Sequence, residues 1–117
     1  MTTMNYRLRS MPSAQAHVVF NYKDANSLSS VELWSYSTRM LSIVPFGCGF
    51  SLTCHYSVSC SKTTARHVNR FTTELFGTNK YFELKKLEVG QSLYYANGLS
   101  MLMNFVYNYE QNGKKIR

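Results

Sequence analysis

A chain of 117 residues, 44% hydrophobic and 15% aromatic, is long enough for one domain with a moderate core and too apolar to stay disordered. Thirteen Lys and Arg against six Asp and Glu leave a net charge of +7, which directs attention to acidic or phosphate-rich partners. No apolar run approaches the roughly 18 residues of a spanning helix, and the odd count of Cys48, Cys54 and Cys60, without an export signal, points to reduced thiols and a cytoplasmic protein.

Residues 1–16 carry Arg7 and Arg9 but no apolar stretch, and read as a mobile arm. His17–Tyr22 (HVVFNY) is a short strand ending at a polar turn. Over Val31–Tyr36 the alternation sets Val31, Leu33 and Ser35 on one face and Glu32, Trp34 and Tyr36 on the other. Met40–Val44 is apolar, and Pro45, Gly47 and Gly49 break it. Phe50–Ser59 alternates again, with Phe50, Leu52, Cys54, Tyr56 and Val58 on the buried face. The period then changes: Ala65, Val68, Phe71, Thr72 and Leu75 recur at helical spacing between a Ser61 N-cap and a Gly77 stop, a helix over 62–76. Residues 80–89 fit helix or strand. Asn97-Gly98 ahead of the alternating run from Leu99 to Tyr109 predicts a C-terminal hairpin, with Met101, Met103, Phe105 and Tyr107 on its core side. Residues 112–117 form a basic, frayed tail. The expected class is α+β: an antiparallel sheet, made of a meander and that hairpin, under one main helix, as a single domain over 17–111.

Catalytic patterns are missing from the sequence. Asp24 is the one aspartate, the glutamates are scattered, and neither a GxSxG, a Walker loop nor HExxH occurs. Cys48, Cys54 and Cys60 lie six apart, outside the spacing of structural zinc ligands, so no metal or other cofactor is expected. The nine tyrosines could stack bases, but their positions among Met and Phe fit a core better.

The stretch SKTTARHVNRF, 61–71, holds the candidate site. On a helix from residue 62, Lys62, Arg66 and Arg70 stand at i, i+4 and i+8, a column about 12 Å long. Thr63, Thr64 and the first-turn amides face whatever lies off the helix start, a favourable place for an anion, and His67 sits beside the column. Lys85 and Lys86 add positive charge. In the alternative, the three hydroxyl residues only cap, and Arg70 pairs with Glu74 at i+4 on a solvated face. No acid is placed to orient His67, so a catalytic triad is not expected.

SYSTRMLSI followed by HYSVSCSKTTARHVNRF resembles an uncharacterised family of small phage and prophage proteins, in which a Y-x-T strand precedes a Y-S-x-T-T-x-x-H-x-x-x-F block opening a helix. The matching positions are Tyr36, Thr38, Ser61, Thr63, Thr64, His67 and Phe71, within residues 31–76; Cys60 stands where the block has tyrosine. The resemblance implies a phage or mobile-element protein in bacterial cytoplasm. By analogy with small accessory phage proteins, the expected function is a non-catalytic inhibitor binding a host defence or regulatory protein, as anti-CRISPR proteins do. The alternatives are a nucleic-acid binder using the basic helix face, and a small nucleotide-binding protein or enzyme centred on His67.

Overall fold

The computed structural model describes residues 2–116. Six antiparallel strands pair in chain order, β1 (Thr2–Arg7), β2 (Ala16–Asp24), β3 (Ser27–Ser35), β4 (Thr38–Phe46), β5 (Gly49–Cys54) and β6 (Ser92–Tyr95). Helices α1 (Lys62–Phe76) and α2 (Tyr81–Lys85) interrupt the meander between β5 and β6, and α3 (Leu99–Asn112) follows it. The class is α+β, as the sequence predicts, with the helices packed on one sheet face.

Two-residue turns set the register of the middle strands, because Asp24 pairs with Ser27, Ser35 with Thr38 and Phe46 with Gly49. With that register Val31, Leu33 and Ser35 point inward and Glu32 and Trp34 outward, as the alternation requires. β5 ends at Cys54, so Tyr56 and Val58 belong to the loop leading into α1. Burial of Val58 reflects loop packing there.

Helix α1 spans the expected residues because both ends are chemically marked. The Ser61 hydroxyl accepts from the Thr64 amide at 3.1 Å, and Gly77, at φ 77°, donates its amide to Thr73. Val68, Phe71, Thr72 and Leu75 face the sheet. Within a mostly aliphatic core a cluster of aromatic rings meets between helices and sheet, with the rings of Phe71 and Phe105 5.4 Å apart, Phe105 and Tyr109 4.9 Å, and Tyr6 and Phe20 5.3 Å.

Three expectations are corrected. The C-terminal hairpin is a helix: Leu102, Phe105, Val106 and Tyr109 are the buried residues of α3, at i, i+3, i+4 and i+7. Alternate residues 99–109 are also apolar, so the run satisfies both periods, and the depth of the core decides between them. Tyr107 and Met103, placed inside by the hairpin, are exposed. Asn97 does turn the chain, at φ 62°, but Gly98 is needed for packing, since a Cβ there would lie 2.7 Å from the Phe50 ring.

The arm is the second correction. β1 pairs along β2 from Thr2↔Tyr22 to Arg7↔His17, and Tyr6 and Leu8 enter the core. The tail is the third, since Tyr6 bridges Lys115 and the backbone bonds Arg7–Lys114 and Ile116–Asn5 flank it. Both segments therefore join the sheet, and the globular unit exceeds 17–111. Met1 of the expected arm and Arg117 of the expected tail lie outside the described residues. In the ambiguous segment 80–89, the short α2 inserts Leu84 into the core.

Candidate functional site

Lys62, Arg66 and Arg70 lie exposed on the side of α1 turned away from the sheet. The expected pair of Arg70 with Glu74 does not form: Glu74 instead accepts from the Tyr109 hydroxyl and from the amide and hydroxyl of Ser10. That geometry draws Glu74 toward the loop after β1, away from Arg70. Among the described residues the ion pairs are Arg39–Glu32 and Lys80–Glu83, so the α1 column has no carboxylate partner there. Lys85 and Lys86 are exposed at the end of α2, which packs on α1.

Thr64 and His67 do not belong to this surface, against expectation. They are on the sheet-facing side of α1, 5% and 1% exposed, where Ser35 of β3 joins them. The Ser35 Oγ lies 2.8 Å from His67 Nδ1 and 3.1 Å from Thr64 Oγ1. Burial, and then the charge of Arg66, lowers the His67 pKa below its ordinary value, so the ring is neutral at pH 7. The three side chains satisfy one another inside the protein and fasten α1 to β3. With Ser35 itself 2% exposed, this grouping offers no nucleophile to a substrate. Thr63 remains exposed, while the amide of Thr64 is taken by Ser61. An anion off the helix start therefore meets fewer free donors than the sequence implies.

Cys54 is buried, with its thiol donating to the Tyr56 carbonyl, and Cys48 and Cys60 are exposed and unpaired. Among the described residues no three His, Cys, Asp or Glu side chains group as metal ligands. No helix of the described residues is long and apolar enough to cross a membrane.

The outward sheet face is a surface the sequence reading did not single out. Glu32 sits at its centre, accepting from Trp34 Nε1 at 2.8 Å and from Asn21 at 3.4 Å, with Arg39 at 3.5 Å. The Trp34 indole stacks on His17, with ring centroids 5.9 Å apart and planes 13° from parallel. Ser42 bonds the His55 ring at 2.6 Å, and register places Glu32, Ser42, Thr53 and Ser92 in one row across four strands. Glu32 and Arg39 pair at its centre, Arg7 stands exposed in the same row as Arg39 at the β1 margin with no ion pair among the described residues, and many of the remaining polar groups are hydroxyls. The alternation of β3 carries this signal, because an outward Trp beside an outward Glu marks an exposed face with structure of its own.

Comparison with family models, with curated proteins and with solved structures gives no significant match.

Proposed function

We propose that this is a non-catalytic binding protein, a phage-type accessory inhibitor whose α1 surface engages an acidic patch on a host defence or regulatory protein in the bacterial cytoplasm. One observation carries this reading: Lys62, Arg66 and Arg70 are exposed in one column with no compensating carboxylate among the described residues. Unpaired exposed cations add little to folding, but they steer and orient association with an anionic partner. The phage context comes from the resemblance of the Ser61–Phe71 block.

Nucleic acid is the second reading, favoured by Lys85 and Lys86, which extend positive charge from α1 onto its packed neighbour α2. The deciding experiment is capture from bacterial lysate by the intact protein and by its Lys62→Ala/Arg66→Ala/Arg70→Ala variant, each with and without nuclease. A protein partner that survives nuclease and is lost with the variant supports the inhibitor reading. A nuclease-sensitive catch, with affinity falling steeply in salt, supports nucleic acid. Undiminished capture by the variant removes the α1 column from both.

A further inference from the structure

Arg7 and Arg9 meet Lys114 where the two ends of the described chain run side by side. The Arg7 amide donates to the Lys114 carbonyl at 2.8 Å, and Arg7, Arg9, Pro12, Asn112 and Lys114 line a cleft of about 150 Å³. Three of those five residues are cations and none is a carboxylate. Arg9 is anchored through its backbone, which donates to the Tyr109 hydroxyl at 3.0 Å, and its guanidinium lies over the Tyr109 ring, 5.8 Å from the centroid. Arg7 spends one Nη on the Pro12 carbonyl, at 3.4 Å, leaving most of its guanidinium donors free. The carboxylates of α1 and α3 are engaged elsewhere, Glu74 by Tyr109 and Ser10 and Glu110 by Tyr22.

A second cleft, of about 300 Å³, shares Arg7 as a wall and is otherwise lined by neutral groups, among them Asn5, Gln15, His17 and Tyr36. Burial lowers the His17 pKa, so at pH 7 its ring enters as a neutral hydrogen-bonding group. Tyr36 occupies φ 55°, a conformation that strains a bulky residue and that glycine would adopt freely. Strain of this kind persists where surrounding structure enforces it, and it clusters at ligand sites. Here it falls at the first residue of a two-residue turn on the wall of the cleft.

We infer that the paired clefts bind a phosphomonoester with a flat, hydrogen-bonding organic part, the chemical class of a nucleoside monophosphate. Arg7, Arg9 and Lys114 receive the phosphate, for which the arginine forks supply paired donors. The organic part lies beyond Arg7, against His17, Tyr36, Asn5 and Gln15. The site is separate from the α1 column and needs no partner protein.

Titration of the intact protein with inorganic phosphate and with AMP, followed by calorimetry and amide chemical shifts, tests this. AMP should bind at least about tenfold more tightly than phosphate, with shifts centred on residues 5–9, 15–17, 36 and 114. Arg7→Gln/Lys114→Gln should weaken both ligands by about tenfold or more, the loss expected for a hydrogen bond to a charged group. Lys62→Gln/Arg66→Gln/Arg70→Gln should leave both unchanged. If the double variant does not fold, Lys114→Gln alone gives the same reading. No binding of either ligand, equal affinity for phosphate and AMP, or binding undiminished by loss of the cleft cations each overturns the proposal.

Discussion

The protein turns two unlike surfaces to solvent. On the helical side, Lys62, Arg66, Arg70, Lys85 and Lys86 stand exposed, and none is among the ion pairs of the described residues. On the sheet side, Glu32 gathers Trp34, Asn21 and Arg39, and hydroxyls bond one another across strands, as Thr53 and Ser92 do at 2.6 Å. Both surfaces rest on the same buried core. The difference teaches how charge is held: on the sheet side Glu32 pairs with Arg39 inside a bonded cluster, whereas the cations of the α1 column have no ion-pair partner among the described residues.

Removing the support common to both surfaces should have the largest effect. Phe71 is fully buried against Phe105, and Phe71→Ala should cost about 3–5 kcal/mol in denaturant unfolding. An unchanged midpoint would mean that α1 does not share the sheet's core. Next comes the joint between the layers. Ser35→Ala leaves His67 Nδ1 and Thr64 Oγ1 without their buried partner and should cost about 1–3 kcal/mol by the same measurement.

Acid should loosen that joint too. The pKa of each histidine is lowered in the folded protein, with burial the largest cause for His17, His55 and His67 and the charge of Arg39 or Arg66 adding to it for the last two. Between its folded value and an ordinary value of about 6.5, the unfolded chain binds the extra proton. Stability should therefore be full above pH ~6.5, fall as the pH drops below it, and level off once the folded histidines protonate. His67→Gln should flatten that slope in unfolding curves taken from neutral to acidic pH. A slope unaltered by the substitution would show that His67 is not sealed as described.

Effects on the outer surfaces should be smaller and should separate them. Glu32→Gln removes the charge that holds Arg39 and weakens the bond to Trp34, a loss of about 1 kcal/mol in stability because the group is only partly buried. Lys62→Ala, Arg66→Ala and Arg70→Ala should each change stability by no more than about 0.5 kcal/mol, while the three together should abolish the proposed partner capture. If the charge-removed helical surface instead proved less stable than the Glu32 variant, the contrast between a self-satisfied and an unsatisfied surface would fail.

Legibility followed distance along the chain. α1 could be read because its cap, its apolar stripe and its glycine stop all lie within residues 61–77, and its charged column follows from helical spacing alone. α3 could not, because its residues obey two periods and only contact with Phe20 and Phe71 selects one. The strand character of Met4 and Tyr6 depends on pairing with β2 and, for Tyr6, on Tyr109 far away in sequence. His67 was visible as a residue, but its partner Ser35 is 32 positions distant, so a buried fastening looked like a surface donor. The meeting of Arg7 and Arg9 with Lys114 joins opposite ends of the chain and leaves no local trace.

The short pairing of residues 114–116 with β1 has a consequence for self-association. An unpaired outer strand offers its amides and carbonyls as a template for a strand from another molecule, the usual seed of edge-to-edge aggregation. Here the chain occupies part of that template itself, with bonds from Arg7 to Lys114 and from Ile116 to Asn5 on the outer side of β1. The opposite margin of the sheet, β6, is only four residues long, and so gives a foreign strand little to extend. A protein that leaves charge open on its helices thus leaves only short stretches of sheet margin for a copy of itself to extend.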